Sequence, residues 1–297
     1  MAFVPLHVHT EYSLLDGLSQ IKPLIKKAQE FDFNSMAITD HGVMYGAIEF
    51  YKSCKEANIK PIIGMEAYIS KEKHTIKDPS KKTNANHLLL LAKNYQGYQN
   101  LMKLTSIGQL EGFYYKPRFD KETLKKYSQG LIVTSACPAG ELAESLINDD
   151  WKKARNTVQW FLDIFHDDYY LEIQKHEYEL YIPQAQDSKI KQDLEKMKQN
   201  EKIINDGIFK LSREFGVPIV ATNDSHYINQ DDAPAQDALV CVATGTTVDQ
   251  VDRLRFIDAP SFYVRSQQEM ETLFADIPEA ITNTQIIADK CDVEITL

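Results

Sequence analysis

The sequence has few cysteines, and their spacing excludes the usual cysteine-based frameworks. Only four occur in 297 residues, at widely separated positions: Cys54, Cys137, Cys241 and Cys291. No Cys-x-x-Cys pair is present, so neither a zinc-finger pattern nor a disulfide framework is indicated. A reducing compartment, the cytoplasm, is therefore the expected location.

Long hydrophobic runs and an excess of basic residues are also missing. No apolar stretch approaches membrane-spanning length, and the N-terminus lacks the basic region and cleavage site of a signal peptide. Lys and Arg number 33 against 43 Asp and Glu, which gives a net charge of −10. This balance argues against a broad nucleic-acid-binding surface, but it is compatible with carboxylates gathered around cations.

No glycine-rich phosphate loop is visible, which bears on the fold class. Apolar, β-branched runs alternate with helical patterns, and this alternation favours an α/β barrel or a doubly wound sheet. Barrels carry chemistry at the ends of many strands, whereas doubly wound sheets concentrate it at one switch point. The predicted strands are Phe3–His9, Ser35–Thr39, Pro61–Ile69, His87–Ala92, Leu131–Ser135, Tyr169–Gln174 and Val217–Thr222.

The helical patterns between these strands predict one unusual feature. The segment 185–205 is highly charged but keeps a helical apolar spacing, so it is predicted to be an extended helix or a helical insertion, with a solvated face as its simplest role. Other helices are predicted from the apolar positions of Ile21–Ala28, Tyr45–Ala57, Leu101–Ile107 and Trp151–Phe165.

The pattern changes after Asn229. Short extended pieces are predicted at 253–257 and 261–264, followed by a capping-box helix that starts at Ser266. We expect residues 1–240 to form the barrel domain and residues 241–297 to form an extension packed on it.

Two histidines near the N-terminus provide the first sign of chemistry. In Leu6-His7-Val8-His9-Thr10 the two imidazoles would share one face of a strand, because strand side chains alternate. Neutral imidazole is a common ligand for zinc and related metals. In isolation such a motif is more often two solvated residues at a strand end, by roughly 3 to 1.

Residues of the same chemical kind recur at the other strand ends. Each has an ordinary alternative: Asp16 and Asp40 could cap helices or turns, and Cys137 could be a small buried hydrophobe. Their recurrence favours a metal site for zinc, manganese or iron, rather than calcium or magnesium. Nine ligands exceed the needs of one ion, so two or three divalent ions are expected, with Glu66 able to bridge. The predicted ligands are His7, His9, Asp16, His41, Glu66, His87, Cys137, Asp224 and His226.

Five segments make the sequence resemble the polymerase and histidinol phosphatase (PHP) domain family. Within it, the chain looks like the domains that begin bacterial DNA polymerase III alpha subunits. That resemblance implies a distorted seven-stranded, TIM-like (β/α) barrel with a trinuclear metal centre. The segments are Pro5-Leu-His-Val-His-Thr-Glu-Tyr-Ser-Leu-Leu-Asp-Gly, Ala37-Ile-Thr-Asp-His-Gly, Gly64-Met-Glu-Ala, Ser135-Ala-Cys-Pro-Ala-Gly-Glu-Leu and Ala221-Thr-Asn-Asp-Ser-His-Tyr, with later likeness in Arg253-Leu-Arg-Phe and Phe274-Ala-Asp-Ile-Pro-Glu-Ala.

The resemblance also implies which residues share an ion. Asp40, beside His41, is expected to orient a ligand imidazole and is the predicted catalytic residue. One ion would take His7, His9, Glu66 and Asp224, a second would take Glu66, His87 and Cys137, and a third would take Asp16, His41 and His226.

The activity implied is that of a metal-dependent phosphoesterase, used as a 3′–5′ proofreading exonuclease with a metal-activated hydroxide. Expected partners are a DNA 3′ end, bound weakly by the isolated domain, the remainder of the polymerase, and a replisome exonuclease or clamp, but no membrane. Two alternatives stay open. One is a stand-alone phosphatase for a small phosphomonoester such as histidinol phosphate, and the other is a non-catalytic module that docks a separate exonuclease.

Overall fold

The structure, a computed structural model, describes residues 3–81 and 85–296. Its strands are β1 (Ser35–Ile38), β2 (Lys60–Ser70), β3 (Ala85–Ala92), β4 (Arg118–Asp120), β5 (Leu131–Thr134), β6 (Tyr169–Ile173) and β7 (Ile219–Ala221). Its α-helices are α1 (Ile21–Glu30), α2 (Ala47–Glu56), α3 (Tyr95–Leu110), α4 (Lys121–Lys126), α5 (Glu141–Ile147), α6 (Trp151–Phe165), α7 (Tyr178–Tyr181), α8 (Ser188–Phe215), α9 (Ala233–Thr244), α10 (Gln267–Leu273) and α11 (Pro278–Lys290).

The strands form one curled sheet in the order β1-β2-β3-β5-β6-β7, with the short β4 paired to β2. The extended N-terminal segment joins the two ends of this sheet. On one side, Ala37 N–H donates to the Pro5 carbonyl at 2.9 Å, and on the other Ser225 N–H donates to the His7 carbonyl at 3.1 Å. The mixed α/β fold is therefore the distorted, TIM-like barrel predicted from the sequence.

The N-terminal segment occupies a strand position without forming a regular strand, so the prediction of a strand at Phe3–His9 is wrong in detail. Only an isolated bridge between Val8 and Ser225 is formed. Pro5 has no N–H to offer a ladder, and the N–H of Val8 donates to the hydroxyl of Thr39 at 2.8 Å instead of a backbone carbonyl. Side-chain bonds thus replace part of the ladder.

Strand β3 departs from a regular β/α barrel, in which the strands are parallel. It runs antiparallel to both neighbours, β2 and β5. The described part of the connection between β2 and β3 contains no α-helix, and a chain without a crossover helix returns antiparallel. The start of β3, which carries His87, therefore lies at the edge where its neighbours end.

Two apolar cores hold the barrel together. The larger lies between the outside of the sheet and the helices that cover it. The smaller fills the inside of the barrel, and α11 closes it from below with side chains that are at most 1% exposed. Its members are Val4, Leu6, Ala37, Ile62, Leu91, Ile132, Tyr170 and Val220 from the barrel, with Ile287, Ala288 and Cys291 from α11 and its C-terminal end.

Beyond β6 the helix predictions are confirmed and those of the short extended pieces are not. The charged segment 185–205 enters the single 28-residue helix α8 at Ser188 and lies in it from there on. Ser266 and Glu269 form the predicted capping box of α10. Neither predicted extended piece contains a regular strand. Arg253 and Arg255 hold 253–257 in a compact loop through paired bonds to carboxylates, and 261–264 forms only an isolated bridge, between Tyr263 and Tyr227.

The division into a barrel domain, 1–240, and an extension, 241–297, stays a prediction. Residues 1, 2, 82–84 and 297 of those ranges lie outside the described residues. Within the described ranges, no helix is both long enough and apolar enough to cross a membrane.

Candidate metal centre

All nine predicted ligands lie at one end of the barrel, where the strands end. Two tight turns aim side chains there: Ala136, beside Cys137, has φ 61°, and Asp224 has φ 49°. A non-glycine residue with positive φ is uncommon and often marks a functional turn. The N-terminal segment supplies His7 and His9, the next loop Asp16, the loop after β1 His41, β2 Glu66, β3 His87, the turn after β5 Cys137, and the turn after β7 Asp224 and His226.

Glu66 occupies the centre of this cluster and is only 1% exposed. Both of its carboxylate oxygens face ligand-type atoms from other elements, which is the arrangement required of a bridging carboxylate. Its Oε1 lies 2.9 Å from His87 Nδ1 and 3.3 Å from both His7 Nε2 and Cys137 Sγ, and its Oε2 lies 2.7 Å from His41 Nδ1 and 3.6 Å from His9 Nε2.

The first proposed ligand set has spacings suited to one ion. Tetrahedral coordination with metal–nitrogen bonds of about 2.0–2.1 Å places neighbouring ligand atoms about 3.3–3.4 Å apart. Asp224 Oδ1 is 3.2 Å from His7 Nε2 and 3.1 Å from His9 Nε2. Together with the distances to Glu66 given above, these spacings are close to those expected between ligand atoms around one zinc-like ion.

The other two sets also converge. Cys137 Sγ is 3.4 Å from His87 Nδ1, and both atoms contact Glu66. Burial raises the pKa of the Cys137 thiol well above its ordinary value, so a cation would be needed to hold its thiolate form. The carboxylate of Asp16 lies 3.4 Å from His41 Nε2 and 3.8 Å from His226 Nε2.

Several ligand atoms are buried and make no hydrogen bond of acceptable geometry, although neighbouring ones lie 2.7–3.6 Å apart. A buried polar atom that lacks a partner is costly, and its presence calls for a group that would satisfy it. The atoms are His7 Nε2, His9 Nε2, Asp16 Oδ1, His41 Nδ1, Glu66 Oε2 and Asp224 Oδ1, all in the same cluster. The residues present therefore fit bound divalent ions.

The protonation states of His9 and Asp224 suit metal binding, whereas those of His7 and His41 do not. Burial lowers the pKa of both His7 and His41, but nearby carboxylates outweigh it and raise the pKa, to about 10 for His41, so a bound cation would displace a proton from each ring. Burial, reinforced by the nearby rings of His41 and His226, lowers the pKa of His9 to about 3, so its imidazole is neutral. Burial raises the pKa of Asp224, but the rings of His7 and His226 outweigh it and hold that pKa below its ordinary value. The centre thus presents a neutral ring and an ionised carboxylate, the forms that coordinate metals.

Glu172 is a buried residue of the site that the sequence analysis missed. His7 Nδ1 donates to its Oε1 at 2.7 Å, which turns His7 Nε2 toward Asp224. Thr134 and Thr222 also donate to the carboxylate. A carboxylate behind a ligand imidazole fixes its tautomer and orientation. The available signal was an acidic residue in the otherwise apolar strand Tyr169–Ile173.

Asp40 is placed differently from the prediction. It accepts hydrogen bonds from Thr10 and from Ser13 Oγ at 2.8 Å, and no bond joins it to an imidazole among the described residues. Ser13 Oγ in turn lies 3.0 Å from His9 Nδ1. Asp40, which is 1% exposed, is therefore linked by hydrogen bonds to a predicted ligand through Ser13.

A cleft of about 620 Å³ opens onto the centre, which is within the range of small-molecule sites. One wall is the barrel mouth with its predicted ligands. The opposite wall is formed by the N-terminal half of α8 and the loop 253–262. The charged segment is thus part of the site region rather than a remote solvated face.

Comparison with known proteins was consistent with this geometry. The PHP domain family profile matches residues 5–176. DNA polymerase III subunit alpha of Borreliella burgdorferi is 46% identical over 98% of this chain, and that of Helicobacter pylori is 44% identical over 100% of it. The chain spans 24% and 23% of those two proteins.

A solved structure from Bifidobacterium adolescentis, described as a candidate metal-dependent phosphoesterase, is similar with a TM-score of 0.45. It shares 11% sequence identity, over 76% of this chain and 88% of its own. This similarity is too weak to support a further conclusion.

Proposed function

The chain belongs to the PHP domain family, and from this we propose that it is a metal-dependent phosphodiesterase that works as a 3′–5′ proofreading exonuclease. The observation that carries the proposal is the convergence of nine ligand-type side chains at one end of the barrel, five of which lie close to the carboxylate of the ninth, Glu66. Bound divalent ions would supply an activated water at neutral pH and would neutralise charge on the phosphate oxygens. We propose zinc or manganese, with iron as an alternative, in two or three positions.

The chain's own residues would prepare this centre in two ways. His7 and His9 offer Nε2 atoms toward Asp224, while Glu172 and Ser13 hold their Nδ1 atoms from behind. This fixes which nitrogen is free to coordinate. Because the ligands are buried, bulk water can reach the centre only from the side that faces the cleft.

The wider context is a proposal as well. Relatives named DNA polymerase III subunit alpha extend far beyond this chain, which spans about a quarter of their length. We propose that the domain acts within a longer replicative polymerase, whose other parts present the DNA 3′ end. A replisome exonuclease or clamp is a further candidate partner.

Metal content and activity should be measured on the same preparation. We expect two to three transition-metal ions per chain after exposure to zinc and manganese, and slow release of nucleotides from a single-stranded 3′ end. We expect His9→Ala and Asp224→Asn each to lower metal affinity and activity. The loss should exceed the roughly 10- to 100-fold that is typical of residues that only support a ligand. Asn is chosen at Asp224 because it tolerates the positive φ there.

Asp292→Ala, at an exposed position, is the matched control and should leave both the metal content and the hydrolysis of 3′ ends unchanged. Full activity in His9→Ala would mean that the assigned centre is wrong. Full metal loading without hydrolysis of any 3′ end would favour the non-catalytic docking module instead.

A further inference from the structure

The cleft has an apolar wall that the metal centre does not explain. Met197 on α8 and Leu254 in the loop 253–262 both line it, and each is 43% exposed. Phe256 lies beside them, with its ring 5.0 Å from the ring of His226. Exposed apolar side chains gathered in a concave site next to reactive groups indicate a ligand-binding surface.

The wall is held in place by a small core of its own. Leu194 on α8 is 3% exposed and packs with Tyr178 and Ala259. This packing ties the N-terminal half of α8 to the loop 253–262. Met197, three residues after Leu194, is therefore presented at a fixed position even though it remains accessible.

The cationic side chains around the cleft differ in whether they form ion pairs. Arg253 and Arg255 each make paired bonds to a carboxylate, from Asp237 and Asp258 respectively. Lys116 and Lys196 differ, because no ion pair joins either lysine to a carboxylate within the part of the chain that the structure describes.

Lys116 also lies close to the proposed centre. Its Nζ is 3.4 Å from Tyr68 Oη, and the Tyr68 ring is 5.1 Å from the ring of His87. A lysine that forms no ion pair thus lies near the predicted ligands, while the apolar wall lies on the α8 side of the same cleft.

We propose that this cleft is the subsite for the unpaired terminal nucleoside of a nucleic-acid 3′ end. The base packs against Met197 and Leu254, and Lys116 contacts a phosphate that flanks the scissile one. An apolar face beside the proposed phosphoester centre, with lysines that form no ion pair, matches both the base and the phosphate of a nucleotide. The inference rests on the proposed function, and it deepens it by naming the substrate class and the residues that select it.

The cleft also limits what can enter. A volume of about 620 Å³ accommodates a ligand the size of one or two nucleotides. A paired terminal base would have to leave its partner strand before it reached the apolar wall. The subsite therefore selects frayed or mismatched ends by shape, without reading the base sequence.

Binding, rather than turnover, tests the subsite directly. The probe is a short 5′-fluorescein oligothymidylate with hydrolysis-resistant phosphorothioate terminal linkages, and a second probe has an abasic 3′ terminus. In the presence of Zn²⁺, anisotropy titration of the wild-type chain should show roughly tenfold tighter binding of the base-bearing end. Met197→Ala combined with Leu254→Ala should remove that preference.

The matched control is Met102→Ala combined with Leu110→Ala. These residues are 39% and 85% exposed on α3 and do not line the cleft, so the preference should persist. Equal affinity of the wild-type chain for both probes would overturn the proposed subsite. Failure of hydrolysis with an intact base preference would count against the proposed exonuclease alone.

The proposed contact between Lys116 and a phosphate can be tested separately, through the salt dependence of binding. Each phosphate contact to a single strand contributes about 0.7 to the slope of log affinity against log salt concentration. Lys116→Gln should reduce the slope by about that amount, whereas the exposed Lys26→Gln on α1 should not. An unchanged slope in Lys116→Gln would remove Lys116 from the subsite.

Discussion

At the scale of single residues, the buried carboxylate of Glu172 defines how His7 is presented. Glu172 accepts from His7, from Thr134 and Thr222, and from Gln174 Nε2 at 3.0 Å. A fully buried charge persists only when its lone pairs are satisfied in this way. The network therefore holds His7 Nδ1 in a hydrogen bond to Glu172 and leaves His7 Nε2 to face the centre.

We predict that Glu172→Gln weakens metal binding by roughly 10- to 100-fold, with the chain still folded. The amide keeps the shape of the carboxylate but removes the charge that makes His7 a better ligand. Competition with a fluorescent chelator measures the affinity. Glu56→Gln, at an exposed position on α2, is the control, and equal affinities of the two variants would contradict the role of Glu172.

At the scale of elements, helix α11 closes one end of the barrel interior. Ile287 is fully buried against residues from the barrel interior, whereas its neighbour Ile286 is 44% exposed. A barrel interior is a packed core, so its open end has to be filled by side chains. A segment that the sequence assigns to an extension thus completes the core of the barrel domain.

Ile287→Ala should lower the free energy of unfolding by about 2–5 kcal/mol, the usual cost of truncating a buried isoleucine. The adjacent Ile286→Ala should lower it by less, because Ile286 is 44% exposed and loses less buried apolar surface on truncation. Urea unfolding of both variants gives the comparison. Similar stabilities would mean that α11 is dispensable for the barrel and would favour a domain boundary near residue 240.

At the scale of the whole molecule, the net charge of −10 opposes association with nucleic acid. Cations bound at the centre would offset part of this charge, but only inside the cleft. Duplex affinity arises largely from Lys and Arg contacts that release counterions. The surface outside the cleft should therefore repel a duplex at long range.

We predict that the chain binds duplex DNA more weakly than about 1 µM at physiological ionic strength, although it binds a single-stranded 3′ end in the cleft. Titration of both forms at matched salt measures the difference. Sub-micromolar duplex affinity would reveal a basic face hidden by the overall composition.

The sequence by itself determined the chemistry at the barrel mouth. His7, His9 and Glu66 stand out because a ligand is defined by residue type, and period-two alternation places such residues on one face of a strand. The same local reasoning found the helix α8 and the capping box at Ser266, since both depend on neighbours within a few residues.

Only the tertiary structure decided which residues support that chemistry. Glu172 meets His7 across 165 positions, and Ser13 meets Asp40 across 27, contacts that no local spacing encodes. The reversed direction of β3 and the position of α11 are likewise long-range outcomes. Each depends on where the closed barrel places distant segments, because burial and hydrogen bonding are satisfied over the whole fold rather than within a window of sequence.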